Sequence, residues 1–143
     1  MPATEFIEAF AAQVNGASYK VAQCGALYSR GYHCGIIPVD SGMISRLAPV
    51  LGFGLENGPR AHERMRLLLQ DCATSHAATY RSLVDQHGYA VTVPQEVAPT
   101  WWLHLVLIYF KRLFLNKPAS PRVCTLRPAC ADLLDCEHAG RRE

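Results

Sequence analysis

Residues 101–115 form an apolar stretch that constrains the fold more than any other part of the chain, Trp-Trp-Leu-His-Leu-Val-Leu-Ile-Tyr-Phe-Lys-Arg-Leu-Phe-Leu. A helix needs about 20 apolar residues to cross a bilayer, so this stretch is too short, and Lys111 and Arg112 interrupt it. Two interpretations stay open. The stretch is a buried helix or strand, or an interfacial segment whose tryptophans and basic residues lie at lipid headgroups. Its length favours burial in a core.

The composition predicts a globular chain without extreme charge. The 143 residues are enough for one domain with a real core, and 50% of them are hydrophobic, which argues against wholesale disorder. A net charge of +2 without a run of Lys and Arg predicts no direct nucleic-acid binding. The six cysteines are scattered and the N-terminus is amphipathic rather than signal-like, so we expect reduced thiols in a cytosolic compartment.

The first half of the chain predicts one helix followed by a small sheet. Residues 4–14 place apolar side chains at helical spacing, and Asn15-Gly16 ends that helix. Three segments then alternate or contain aromatic and β-branched residues between turns, at 18–28, 32–39 and 43–47. We expect them to form an antiparallel meander, and the fold class is therefore predicted to be α+β.

The second half predicts two helices and a short strand. Pro59 suits the first position of a helix reaching about Gln70, with Met65, Leu68 and Leu69 apolar and with Arg60, Glu63, Arg64 and Arg66 solvated. A further helix begins at Cys72 and ends before Gly88, and residues 89–93 resemble a strand. We expect a single domain over residues 1–118 and an extended Pro/Arg/Cys-rich tail over 119–143.

Cys72 and His33 are the candidate catalytic pair. Asp71 is a suitable N-cap, which would put the Cys72 thiol at the positive end of a helix macrodipole, where the thiolate is favoured. His33 lies on the second predicted strand, and an imidazole facing such a thiol accepts its proton. A strand histidine and a helix-start cysteine are the two essential parts of a papain-like thiol site.

Two motifs resemble those of a known family. Residues 27–37, Leu-Tyr-Ser-Arg-Gly-Tyr-His-Cys-Gly-Ile-Ile, resemble the H-box of the lecithin:retinol acyltransferase and HRAS-like suppressor family. Asp71-Cys72, running on to Gly88, resembles its NC motif, and an apolar segment follows in both. The short gap between the motifs is most similar to the H-box/NC 2A proteins of picornaviruses such as parechoviruses and kobuviruses. The resemblance covers residues 17–115.

The resemblance implies an NlpC-like thiol-hydrolase core with His33 as general base and Cys72 as nucleophile. Two departures predict a degenerate site. The Asn that precedes the cysteine in the family is Asp71 here, whose charge disfavours a thiolate. The second polar residue of the family, usually histidine, falls at Ser45, which orients an imidazole poorly. Because such groups act as a unit, we expect weak or no hydrolase activity.

Two other uses of cysteine remain open. Cys136 lies in Leu-Asp-Cys-Glu-His, a more literal NC string, but too few residues follow it to form the helix that activates a thiol. The tail also offers a possible zinc site. Its cysteines are separated by five residues, whereas zinc knuckles use about two to four. The residues of this weaker candidate site are Cys124, Cys130, Cys136 and His138. We expect no other metal and no cofactor.

Three functions are consistent with these patterns. The first is a viral nonstructural protein of the 2A type that supports genome replication in the host cytoplasm, through contacts with host or viral proteins or with replication membranes. The second is an active thiol acyltransferase or phospholipase acting on membrane lipids. The third is a zinc-dependent adaptor that works through its tail. The residues predicted to contact a membrane are Trp101, Trp102, Phe110, Lys111 and Arg112.

Overall fold

The computed structural model describes residues 1–16, 18–89 and 92–115, and the regular secondary structure within these ranges is helical throughout. A π-helical turn at Met43–Leu47 leads into the third helix, and another at Lys111–Leu115 continues the last one. The α-helices are α1 (Ala3–Gln13), α2 (Tyr19–Arg30), α3 (Ala48–Val50), α4 (Arg60–Ser75), α5 (Ala77–His87) and α6 (Thr100–Phe110).

The predicted α+β fold, with a papain-like or NlpC-like sheet, is wrong. The first predicted strand is helix α2, and the third is the π-helical turn at Met43–Leu47. The second, residues 32–39, is irregular chain, and the described residues of the segment 89–93 are not in a strand. The H-box therefore has no sheet to carry it within the described ranges.

Helix α2 shows why the strand prediction failed. Its buried residues are Ala22, Gln23, Ala26 and Leu27, a spacing of one helical face, while Val21 and Tyr28 are exposed. The Ser18 hydroxyl accepts a 3.4 Å hydrogen bond from the Val21 amide, and Gly31 ends the helix at φ +92°. Val21 and Tyr28, two of the residues that favour a strand, are therefore on the solvent side of a capped helix.

The helix predicted from Cys72 to His87 is two helices. The chain breaks at His76, where φ is −116° and ψ is +24°, and the part before this break belongs to α4. The predicted N-terminal helix is confirmed as α1, and Gly88 ends α5 at φ +73° as expected. The predicted tail at residues 119–143 lies outside the described part of the chain.

Helix α4 is the centre of the packing. It contacts α2, α5, α6 and the turn at Met43–Leu47, while α1 packs on α2. A larger apolar cluster surrounds α4 and α6, and a smaller one lies between α1 and α2. The larger cluster includes Val39, Met43, Leu47, Met65, Leu69, Leu103, Ile108 and Leu115, and the smaller one Ile7, Ala22, Ala26, Leu27 and Ile36.

Residues 101–115 contribute one side to the core and leave the other side exposed. Leu103, Ile108 and Leu115 are buried, whereas Val106 and Tyr109 on the other side are exposed. No helix in the described ranges has the length and apolar character needed to cross a bilayer.

A buried polar network crosses the interior beside α4. Glu63 and Arg66, predicted to be solvated, are 5% and 1% exposed, so that prediction is wrong. Gln23 of α2 donates a 2.7 Å hydrogen bond to Glu63 and accepts one of 2.8 Å from the Val39 amide. Arg66 also donates to Thr4 of α1. Four parts of the chain are thus joined by hydrogen bonds, as buried polar groups require.

Candidate functional site: a groove between α2 and α6

An open groove of about 320 Å³ runs between α2 and α6. One wall is a row of α2 side chains four residues apart, Lys20, Cys24 and Tyr28, and the floor is residues 38–40. The other wall is one face of α6 and its π-helical continuation, because its residues recur at helical spacing. That wall consists of Trp101, His104, Leu105, Ile108, Tyr109 and Arg112.

The two ends of the groove differ in chemistry. At one end Tyr32 stacks on Trp101, with ring centroids 4.5 Å apart, and meets the edge of Tyr28 at 6.3 Å. This aromatic end joins the C-terminal part of α2 to the start of α6, so the two helices run in opposite directions. The cationic end therefore carries Lys20, from the start of α2, and Arg112, from the far end of α6.

Among the described residues that line the groove, Asp40 is the one acidic side chain, and it is paired with Lys111. Its carboxylate accepts a 2.8 Å hydrogen bond from the Met43 amide and lies 3.1 Å from the ammonium of Lys111, whose side chain is only 8% exposed. Burial alone would raise the pKa of Asp40, but these hydrogen bonds and the Lys111 charge outweigh it and lower the pKa. Lys20 and Arg112 make no ion pair with any described residue.

His104 lies in the α6 wall as a neutral imidazole. It stacks on Trp101 at 5.0 Å between centroids, and its buried Nδ1 atom has no hydrogen-bond partner among the described residues. Burial lowers the pKa of His104 to about 4; the Asp40 charge opposes this shift and Arg112 adds to it. At neutral pH the imidazole therefore adds a flat, uncharged surface beside Trp101.

Cys24 places a thiol in the groove, but this thiol is not activated as a nucleophile. Burial raises the pKa of this thiol and Asp40 adds to the effect, while Lys20 opposes it. The net shift keeps the thiol protonated at neutral pH, and the thiolate is the form that attacks. The chemistry of the groove is therefore that of binding: flat aromatic rings, one neutral thiol and two cations that form no ion pair with a described residue.

The predicted catalytic pair lacks the local geometry that motivated it. His33 lies in irregular chain after α2, and Cys72 lies near the C-terminal end of α4 instead of opening a helix. Asp71 is an exposed residue inside α4 and caps nothing. The described part of the chain has no hydrogen bond between His33 and Cys72, whose catalytic roles stay a prediction.

Among the remaining candidates, only Ser45 lies in the described part of the chain. Ser45 is exposed in the turn at Met43–Leu47 and makes no hydrogen bond to His33. Within the three described ranges, no group of three or more His, Cys, Asp or Glu side chains could hold a metal ion. The rival nucleophile and the zinc candidates lie outside those ranges, and they are Cys124, Cys130, Cys136 and His138.

The residues predicted to contact a membrane point in different directions. Trp101 and Arg112 line the groove, whereas Trp102 packs against the core beside Tyr80, at 5.8 Å between centroids. Phe110 also packs against the core, and Lys111 is buried against Asp40. These five side chains therefore do not form one interfacial face.

Sequence reasoning missed the groove because it missed α2. The spacing of Lys20, Cys24 and Tyr28 is the signal that could have found one wall, since residues four apart share a helix face. No local pattern around Asp40 indicates that it pairs with Lys111, 71 positions away. Comparisons of the chain with protein-family models, with curated proteins and with solved structures give no match.

Proposed function

We propose that the protein is a non-catalytic binding module that recognises a partner protein through the α2–α6 groove. The observation that carries this proposal is the clustering of exposed aromatic side chains at one groove: Tyr28 is 68% exposed, Tyr32 51% and Tyr109 57%. Tyrosine, tryptophan and arginine dominate the residues that supply binding energy at protein interfaces. Trp101 and Arg112 complete that set here.

The thiol chemistry supports binding over turnover. Cys72 lies near the C-terminal end of α4 instead of opening a helix, and burial raises the pKa of the Cys24 thiol, which keeps that thiol protonated at neutral pH. The contact-making role implied by the resemblance does not depend on a sheet. We therefore retain host or viral proteins at replication membranes in the host cytoplasm as the proposed class of partner and the proposed location.

Site-specific photo-crosslinking tests the proposal. The crosslinking amino acid p-benzoylphenylalanine replaces Tyr109, an exposed residue of the groove, or Leu67, an exposed residue of α4 that does not line it. We expect a discrete covalent complex in cells from position 109 and none from position 67, and Trp101→Ala should abolish it. Equal complexes from both positions, or none from either, would contradict the proposal.

Alkylation separates this proposal from the acyltransferase alternative. An active nucleophile at Cys72 would react with iodoacetamide at pH 7 faster than glutathione does and would form an acyl adduct with a phospholipid. We expect Cys72 to react no faster than glutathione and to give no adduct by mass spectrometry, with Cys72→Ser identifying its peptide. Fast labelling with an adduct would instead establish an enzyme.

A further inference from the structure

We infer that the occupant of the groove is an amphipathic α-helix of the partner, with carboxylates at one end of its buried face and aromatic or aliphatic side chains about two turns away. This inference rests on the proposed function and names the chemistry of the partner. It follows from the charge, the length and the walls of the groove.

Charge complementarity determines the chemistry of one end of the partner helix. Lys20 and Arg112 line the same end of the groove and have no ion-pair partner among the described residues, while Asp40 is occupied by Lys111. Two cations of this kind attract a carboxylate-bearing segment and repel a basic one. A second copy of the chain does not supply such a segment from its α6 wall, because residues 100–115 contain no Asp or Glu.

The aromatic end of the groove determines which side chains the other end of the partner helix carries. Tyr28, Tyr32 and Trp101 form a continuous ring contact there. Lys20 and Tyr28 are two helical turns apart on α2, which corresponds to about 12 Å. A partner helix matches both ends when a carboxylate and a large apolar side chain are separated by about seven or eight positions, because such residues lie on one face.

The walls favour a helix over an extended peptide. Both walls are helices, and helices use their backbone amides and carbonyls internally, so α2 and α6 offer no sheet edge to which a strand could add. A helix brings its own backbone hydrogen bonds and needs only side-chain contacts, as in other helix-in-groove complexes. A helical occupant therefore leaves fewer polar groups unsatisfied in the groove.

The shape of the groove is also better suited to binding a peptide than to binding a lipid surface. An amphipathic segment binds a bilayer with an apolar face directed at the lipid. Here the buried side of α6, with Leu103, Ile108 and the continuation to Leu115, is already packed in the core. The exposed aromatic rings line a concavity between two helices instead of a projecting face.

A selection experiment tests the inference. The full chain is used to select from a phage-displayed library of helical 16-residue peptides with one randomised face. We expect the selected peptides to carry Asp or Glu near one end and Phe, Trp or Leu about two turns away. Synthetic versions should bind with at least tenfold lower affinity to a variant with both Lys20→Glu and Arg112→Glu, and replacing their acidic residues with lysine should restore affinity for that variant.

The control is Arg64→Glu, which reverses an exposed charge on α4 outside the groove and should leave peptide affinity unchanged. Thermal unfolding of each variant verifies that it is folded. No selected peptide, basic peptides, or equal binding to the charge-reversed variant would overturn the inference. Binding to anionic vesicles that depends on Lys20 and Arg112, with no peptide selected, would overturn it in favour of a membrane. A crosslink from position 109 alongside any of these results leaves the proposed function standing.

Discussion

Arg66 holds the carboxylate of Glu63, one turn earlier on α4, in a buried two-point ion pair. Its Nε donates to Oε1 at 2.9 Å and its Nη2 to Oε2 at 2.7 Å. The same guanidinium donates to Gln70 and Thr4, so the charge is surrounded by partners. Through Gln23, the pair is linked to the Val39 amide in the groove floor. The core network and the groove are therefore one connected structure.

Removing the arginine should be strongly destabilising. Arg66→Met leaves the Glu63 carboxylate buried without its counter-charge, and breaking a buried ion pair in this way costs about 3–5 kcal/mol. Urea unfolding at pH 7 measures the loss. The double variant Glu63→Leu with Arg66→Met should be more stable than Arg66→Met alone, because no uncompensated charge remains.

The matched control is the exposed pair between Arg60 and Glu8, 3.3 Å apart. Arg60→Met should change the free energy of unfolding by less than about 1 kcal/mol, since exposed ion pairs contribute little. Equal losses at the two pairs would show that the buried network is not what stabilises the fold.

Gln23 should control the mobility of the groove floor. Gln23→Leu removes the acceptor of the Val39 amide and the donor to Glu63, and each buried polar group left unsatisfied costs about 1–3 kcal/mol. Hydrogen exchange of the Val39 amide should accelerate in this variant. Gln86→Leu, at an exposed position on α5, is the control and should leave that exchange rate unchanged. An unaltered Val39 rate in Gln23→Leu would contradict the link between core and floor.

Local signals predicted part of this fold and missed the rest for identifiable reasons. The apolar spacing and the Asn15-Gly16 stop found α1, and the freedom of Gly88 to adopt positive φ placed the end of α5. The Ser18 cap and the Gly31 stop of α2 are equally local, but the β-branched and aromatic residues between them favour a strand. Strand preference depends on burial context, so it is a weak guide there.

Burial of the polar residues could not be predicted in this way. Glu63 and Arg66 on α4 resemble a solvated helix face, and only their partners on α1 and α2 make burial tolerable. The pairing of Asp40 with Lys111 also joins distant parts of the chain. The candidate site was misplaced for the same reason. The thiol-site prediction joined two short motifs, whereas the groove is built from residues on separate helices that no local pattern connects.

His104 should make stability depend on pH between about 4 and 6.5. The unfolded chain binds a proton at this imidazole with a pKa near 6.5, whereas burial lowers the folded pKa to about 4. Between these values the unfolded state holds more protons, so the free energy of unfolding rises with pH and gains up to about 3 kcal/mol by pH 7. Asp40 opposes this shift and Arg112 adds to it.

His104→Phe should remove that part of the pH dependence. The ring can still stack on Trp101, and the buried Nδ1 atom that lacks a partner is gone. Urea unfolding at pH 4.5 and pH 7 measures the difference for each protein. His87→Gln, at an exposed position, serves as the control substitution. A His104→Phe curve as steep as that of the unmodified protein would refute the assignment.

Asp40 should contribute stability in a lower pH range. Burial opposes its charge, but the Met43 amide and Lys111 lower its folded pKa below the unfolded value of about 3.9. The contribution is therefore fully present above about pH 4 and is lost as the pH falls through the folded pKa. At pH 7, Asp40→Asn should cost about 2 kcal/mol, the scale of a hydrogen bond to a charged group.

A substitution at Gly42 tests the ion pair between Asp40 and Lys111. A Cβ atom added at Gly42 would lie 2.8 Å from the Lys111 ammonium and 3.3 Å from Asp40 Oδ1, so Gly42→Ala must displace the end of the Lys111 side chain. We expect Gly42→Ala to raise the pKa of the Asp40 carboxyl, measured by carbon NMR titration, and to reduce the free energy of unfolding at pH 7. In a Lys111→Met background, Gly42→Ala should shift the Asp40 pKa much less, because no ammonium remains to be displaced and only the 3.3 Å contact of the added methyl group with Asp40 Oδ1 is left. An equal shift in both backgrounds would mean that Gly42 affects Asp40 by a route other than Lys111.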